Sequence, residues 1–260
     1  MKLHSNIILI TGGASGIGLE LAGRLLEMGN TVIISGRDQA KLERAKIQYP
    51  ELHTFACDVT DPEAIAELHS RVCAQFPGLN MLVNNAGLMR KINLQTKEID
   101  LIDINREIET NLSGPIRMVN QFLPQLINQP SAAIMNVSSA LAFVPFAISP
   151  VYGATKAGVH SYTRSLRAQL KNTTVRVFEL APPLTKTTLV DAFEVNDMKG
   201  SVPMEVAKLV DDVIKAMERD QLEIRPGQSN LLKIMSRLAP NFIFKQMSKS
   251  VDAMLADSGK

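Results

Sequence analysis

A short apolar run, Ile7 to Ile10, ends at Thr11 and passes into TGGASGIG, after which apolar residues recur at Ile17, Leu21, Leu25 and Met28. The run has strand character and the recurrence is helical, so the glycines between them make a tight turn. A chain that opens strand, glycine turn, helix must pack that helix back on a sheet, which selects an α/β architecture. Gly12, Gly16 and Gly18 let the backbone close tightly and approach a pyrophosphate, whose charge the free N–H groups of the helix N-terminus favour. The glycines run G-x-x-x-G-x-G rather than G-x-G-x-x-G, so the flanking strand and helix carry much of this reading.

The alternation continues down the chain. Thr31 to Ser35 reads as a second buried strand, His53 to Ala56 as a third, Met81 to Val83 as a fourth, Ala133 to Val137 as a fifth, Val175 to Leu180 as a sixth and Leu222 to Arg225 as a seventh. Helical spacing separates them: Asp61-Pro62-Glu63 opens a helix with a cap and a first-position proline, and Ile65, Leu68, Val72 and Phe76 give it an apolar face. A single domain with a doubly wound, Rossmann-type sheet of seven mainly parallel strands is expected, flanked by helices and followed by a helical extension. The core domain is expected over residues 1–228 and the extension over 229–260.

After the second strand come Gly36 and Arg37, where dinucleotide folds meet the adenosine ribose. A neutral residue followed by a cation suits a 2′-phosphate, so NADP(H) is favoured over NAD(H); the other reading leaves Arg37 solvated and gives the ribose to Asp38. Asp58 and Val59 follow the third strand, where an aspartate can accept from the adenine amino group. NNAG at 84–87 follows the fourth and braces the sheet beside the cofactor. A helix with Ile104, Ile108, Leu112, Val119 and Leu126 on one face then carries Asn111. Pro115, four residues on, has no N–H, so the Asn111 carbonyl loses its ordinary partner and is open to a water.

The fifth strand delivers Ser138 and Ser139 to its carboxyl end, where ligands bind in open α/β sheets. Tyr152 and Lys156 follow, four apart and therefore on one helix face. A phenol loses its proton near pH ~10, and an ammonium beside it is expected to bring it toward neutrality as a working acid and base. Leu141, Phe143, Val144, Phe146 and Ile148 lie between Ser139 and Tyr152, either as an apolar cleft wall or as core and subunit contacts. Residues 184–202, with Thr187, Leu189, Phe193 and Met198, are expected to form a lid.

With TGGASGIG, Asp58, NNAG, Asn111, Ser139 and YGATK in this order, the chain resembles the short-chain dehydrogenase/reductase family over roughly residues 5–228. The resemblance implies that Ser139 polarises a substrate carbonyl or hydroxyl and that Tyr152 exchanges the proton. Lys156 lowers the phenol pKa and holds the nicotinamide ribose, and Asn111 anchors a relay water through its main chain. The cofactor is expected to touch Gly12, Ser15, Gly16, Ile17, Gly18, Arg37, Asp58, Val59, Asn85, Ala86, Gly87, Tyr152, Lys156, Pro182 and Thr187. The family usually has Pro-Gly where this chain has Pro182-Pro183, which stiffens the turn. Within the family, that turn and the Arg-Leu-Ala-Pro near the end resemble the bacterial DltE-type oxidoreductases. The implied activity interconverts a carbonyl compound and its alcohol; a sensor that binds NADP(H) without turnover is the alternative. A homodimer or homotetramer paired through the long helices around Asn111 and Tyr152 is implied too.

Composition excludes several other classes. Twenty-eight basic against 26 acidic residues, scattered over the chain, give no field for nucleic acid. Cys57 and Cys73 form no C-x-x-C and the four histidines no ligand pair, so neither a metal site nor a disulfide framework is expected. No apolar run approaches the ~20 residues of a membrane span and no signal-peptide pattern is seen, so a reducing, cytoplasmic location is the default. The extension places Leu231, Met235 and Leu238 at helical spacing before Pro240, flanked by Lys233, Arg237, Lys245 and Lys249. Segments of this kind rest on a membrane surface or, more commonly, pack on their own domain or a sister subunit.

Overall fold

The computed structural model describes residues 2–96, 100–191, 193, 197 and 202–257. Among the described residues seven strands form one sheet: β1 Ile7–Thr11, β2 Thr31–Gly36, β3 His53–Ala56, β4 Met81–Asn84, β5 Ala132–Val137, β6 Val175–Leu180 and β7 Glu223–Ile224. They lie in the order β3-β2-β1-β4-β5-β6-β7, and every pairing is parallel. The order reverses between β1 and β4, which opens a crevice at the carboxyl ends of the two strands.

Helices α1 Gly16–Glu27, α2 Gln39–Gln48 and α3 Pro62–Gln75 connect the first four strands. Because side chains alternate across a strand, neighbours in β1 serve opposite layers. Ile8 and Ile10 join one apolar cluster with Leu21 and Leu25 of α1 and Leu42 of α2, whereas Leu9 joins the other with Ile65, Leu68 and Val72 of α3. Val32 and Ile34 against Ile33 repeat the division in β2. Both sheet faces are therefore covered, as a parallel sheet requires.

The helix expected through Asn111 is interrupted. A short helical turn Arg106–Ile108 (α4) widens into a π-turn at Glu109–Ser113, and a regular helix α5 resumes at Gly114–Ile127. Pro115 lacks the N–H that would close on Asn111, and its ring crowds that carbonyl, so the backbone opens by a residue. Helix α6 Pro150–Gln169 follows β5, and α7 Val206–Glu218 precedes β7. The seventh strand is two residues rather than the four expected, since only Glu179 and Leu180 of β6 pair with it in register.

Beyond β7 come three helices, α8 Ser229–Leu238, α9 Pro240–Met247 and α10 Lys249–Asp257. Met247, Val251, Met254 and Leu255 pack against Phe146, Tyr152 and Phe193, so the inner face of the extension covers its own domain. Leu231, Leu238 and Phe242 remain exposed on its outside. No helix of the described residues is long and apolar enough to cross a membrane.

Candidate active site

A cavity of about 1160 Å³ opens at the carboxyl ends of the strands, and it gathers residues from distant parts of the chain. Gly12, Ser15, Gly16, Ile17, Arg37, Asp58, Val59, Asn85, Ala86, Gly87, Ser139, Tyr152, Lys156, Pro182 and Thr187 all line it. Two of the predicted site residues stand behind the surface. Gly18 packs under the turn and Asn111 is fully buried.

Gly12 and Gly16 hold φ of +63° and +54°, a region glycine enters without steric cost. A Cβ on Gly12 would stand 2.8 Å from the Ala86 Cα, and one on Gly18 2.5 Å from Asn85 Nδ2. NNAG is thus locked to the glycine turn. The Asn85 amide donates to the carbonyls of Thr11 and Gly12 at 3.0 and 3.1 Å, and the Asn85 and Ala86 N–H groups donate to Thr11 Oγ1 at 3.0 and 3.1 Å. Ser15 caps α1 without a side-chain hydrogen bond, which leaves first-turn N–H groups facing the cavity. Bare glycines and unspent amides at a helix start fit a pyrophosphate. Thr187 packs its methyl group over Gly16, 3.2 Å from where a Cβ would be.

Asp38 caps α2, accepting from the Lys41 N–H at 3.0 Å. Arg37 lines the cavity with no ion-pair partner among the described residues, and Asp38 lines it too, its other carboxylate oxygen 3.9 Å from the Lys41 ammonium. Lys41 lines the cavity as well, a second cation that sequence reading passed over. Its signal was present: position 41 shares the first turn of α2 with the cap. Asp58 is oriented by Thr60, whose N–H and hydroxyl each donate to Oδ1 at 2.9 Å.

Tyr152 and Lys156 are both buried on one face of α6, with the Lys156 Nζ 5.6 Å from the centre of the phenol ring. Ser139, two residues past the end of β5, accepts from the Leu141 N–H at 3.1 Å, and its hydroxyl faces the Tyr152 phenol. Its neighbour Ser138 also lines the cavity, but its hydroxyl donates to Glu179 at 2.6 Å, a carboxylate also held by His160. Among the described residues Lys156 makes one hydrogen bond, to the Val137 carbonyl at 2.8 Å, and no ion pair.

The electrostatics differ from the sequence expectation. Burial pushes the Tyr152 phenol up to about 12, the Ser139 hydroxyl pulls it back, and the charge of Glu107 pushes it further up. Burial also brings the Lys156 ammonium down to about 8. The ammonium alone therefore does not draw the phenol toward neutrality, because desolvation disfavours both charged forms.

Asn111 reaches the site through its neighbours. Its side chain accepts from the Leu88 N–H at 2.8 Å and donates to the Leu88 carbonyl at 2.8 Å and to Thr155 Oγ1 at 3.2 Å. It ties the loop after β4 to α6 one turn from Tyr152, and a Cβ on Gly87 would stand 3.7 Å from the Asn111 Oδ1 and 3.8 Å from the Lys156 Nζ.

Of the apolar residues after Ser139, Leu141 and Phe146 line the cavity. Val144 and Ile148 are core, and Phe143 packs on His160 and under Lys233. Of the lid residues, Thr187, Leu189 and Phe193 line the cavity, while Met198 lies outside the described residues. Sequence reading missed Leu88 and Met89, which follow NNAG directly, and the whole contribution of α9 and α10.

Comparison with known proteins gives this geometry a context. An uncharacterized oxidoreductase, DltE, of Bacillus subtilis (strain 168) is 49% identical over 189 residues, covering 73% of this chain and 75% of that protein. An uncharacterized oxidoreductase of Staphylococcus aureus (strain MW2) is 31% identical over 210 residues, covering 80% and 90%. Among solved structures, a short chain dehydrogenase from Burkholderia cenocepacia J2315 in complex with NADP superposes with a TM-score of 0.81 at 25% identity, covering 95% of this chain and 99% of that one. One from Burkholderia phymatum in complex with NAD shares the fold, with a TM-score of 0.80 at 20% identity over 91% and 95%. The short chain dehydrogenase family model matches residues 6–197, the span that holds the glycine turn, NNAG, Ser139, Tyr152 and Lys156, and the chain belongs to that family.

Proposed function

We propose that this chain is an NADP(H)-dependent oxidoreductase that interconverts a carbonyl compound and its alcohol, with Tyr152 as general acid and base. The observation that carries the reading is the convergence of Ser139, Tyr152 and Lys156 on the cavity that the glycine turn also lines. Residues 1–228 would form the dinucleotide-binding and catalytic unit, and residues 229–260 an extension of it.

Bound NADP(H) supplies or takes the hydride at the nicotinamide ring. Gly12, Gly16, Gly18 and the first-turn amides of α1 would hold the pyrophosphate, and Thr187 would stand against the nicotinamide carboxamide. Asp58 and Val59 would meet the adenine, and Asn85, Ala86, Gly87 and Pro182 the ribose and nicotinamide. Arg37 supports the choice of NADP(H), because two cations, Arg37 and Lys41, face the cavity against one carboxylate, Asp38, which also caps α2 and pairs with Lys41. The Ser139 hydroxyl and the Tyr152 phenol, neighbours in the cavity, would both point at the substrate oxygen. In reduction the phenol gives its proton to that oxygen as the carbon receives the hydride, and in oxidation the flow reverses. A phenol held near 12 carries its proton at neutral pH, as an acid must. Lys156 adds positive charge behind the phenol as the phenolate forms, and the Asn111 main chain would anchor the water that returns the proton.

Loss of NADPH absorbance with a panel of ketones and aldehydes tests the reading. Substrate-dependent oxidation supports it, and tight NADPH binding without turnover of any member would favour a nucleotide sensor. The family further suggests a homodimer or homotetramer.

A further inference from the structure

Helix α8 serves two cavities. Leu232 lines the catalytic one, whereas Asn230, Lys233, Ile234 and Arg237 line a second, of about 380 Å³. Arg164 of α6, Glu223 of β7 and the adjoining Arg225 complete its walls, and the two cavities share no lining residue. Four cations thus surround one carboxylate, in a chain whose net charge is only +2. The charges are scattered in the sequence, and the fold gathers these into one place.

The single carboxylate is already divided among several partners. Glu223 Oε2 accepts from the Lys233 ammonium at 2.8 Å and from the Arg225 guanidinium, and its Oε1 lies 3.7 Å from Arg167, which donates to the Val177 and Leu222 carbonyls at 3.0 and 3.1 Å. Burial would raise the Glu223 carboxyl, but Lys233 and Arg225 hold it down at about 2. These contacts also fix the cations: Lys233 lies 5.1 Å over the Phe143 ring, and Arg225 Nε donates to Asn230 Oδ1 at 3.2 Å, which leaves the Asn230 amide N–H groups for another acceptor. Arg164 and Arg237 are exposed at the pocket and have no ion-pair or hydrogen-bond partner among the described residues. Two unspent guanidinium forks beside cations already held in place suit an anion of more than one charge with several acceptor oxygens, which is the chemistry of a phosphoryl group.

We propose that the pocket between α6, β7 and α8 is a second anion site, which binds a phosphoryl group through Arg164 and Arg237 with Lys233, Arg225 and Asn230 in support. It is separate from the glycine turn and does not depend on the proposed reaction. Two sources carry this group, a soluble phosphate ester and the headgroup of an anionic lipid. For the second, Leu231, Ile234 and Leu238, all exposed on α8, would meet the acyl region.

Two probes test the site on the full chain: calorimetric titration with inorganic pyrophosphate, and co-sedimentation with phosphatidylcholine vesicles that contain or lack phosphatidylglycerol. Arg164→Gln and Arg237→Gln, both at exposed positions, are each expected to weaken binding about ten-fold. Arg71→Gln removes the same charge from α3 and should change it by less than about two-fold. Pyrophosphate binding that both pocket variants weaken supports the site and assigns a soluble phosphate. Vesicle binding that requires phosphatidylglycerol and falls in both pocket variants supports it and assigns the lipid. Binding of neither probe overturns the proposal. So does binding that survives both pocket variants, as pyrophosphate held only at the glycine turn would, and so does an equal loss in Arg71→Gln.

Discussion

Lys156 holds a charge in a place that does not favour one, and replacing it measures how much. It is 4% exposed, and its hydrogen bond goes to a neutral carbonyl, that of Val137. The displacement from 10.5 to about 8 comes from burial. At ~1.4 kcal/mol for each tenfold change in proton affinity, this corresponds to about 3 kcal/mol of destabilisation at neutral pH, to order of magnitude. Lys156→Met removes that cost but leaves the Val137 carbonyl unpaired, a loss of ~1–3 kcal/mol, so at pH 7 the cofactor-free variant should match or exceed the wild type in stability.

The pH dependence separates these contributions. The folded lysine titrates below the unfolded one, so between pH 8 and pH 10 the unfolded state binds more protons and wild-type stability rises with pH. The variant has no such group, and the Tyr152 phenol keeps its proton in the folded state and titrates alike in the two unfolded chains, so it cancels from the comparison. The stability difference between variant and wild type should therefore fall by about 2 kcal/mol from pH 8 to pH 10, measured by urea unfolding at one fixed protein concentration. A difference that stays constant with pH would show that the ammonium is solvated or paired, and the reasoning about the buried cation would fail.

Three further outcomes follow from the site. Arg37→Ala should weaken NADPH binding by about ten-fold or more and NADH binding by less than about three-fold, read by fluorescence titration; equal weakening would remove the phosphate role. Asn111→Ala strands the Leu88 N–H and carbonyl inside the protein, and urea unfolding should report a loss of about 2–4 kcal/mol; a loss under ~1 kcal/mol would mean that the tie between Leu88 and Thr155 is not structural. Gly16→Val places a β-branched residue at φ +54° against Thr187, so NADPH affinity should drop at least ten-fold by the same titration, and an unchanged affinity would contradict the cradle.

Much of the sheet was legible because its strands are short apolar runs separated by helical spacing, and a parallel sheet buried on both faces leaves such runs. The convergence of Ser139, Tyr152 and Lys156 was legible too, since a strand end and a four-residue helical step place them together. Pro115 signalled trouble for the Asn111 carbonyl, but the widening of the turn over Glu109–Ser113 depends on how neighbouring residues share the strain. Burial was the hidden quantity at Tyr152 and Lys156: adjacency was readable from spacing, and desolvation was not. The extension showed an apolar face in its periodicity. That pattern says a helix will be covered without saying by what, so the contact with Phe146, Tyr152 and Phe193 needed coordinates.

The most direct test of proton exchange at Tyr152 beside a bound nicotinamide is single-turnover reduction by Tyr152→Phe, preloaded with NADPH and mixed with a carbonyl compound that the wild type reduces. Loss of the hydroxyl should leave the NADPH dissociation constant within about two-fold and slow hydride transfer by ~100-fold or more. Hydride transfer within a few-fold of the wild type would place the proton donor elsewhere.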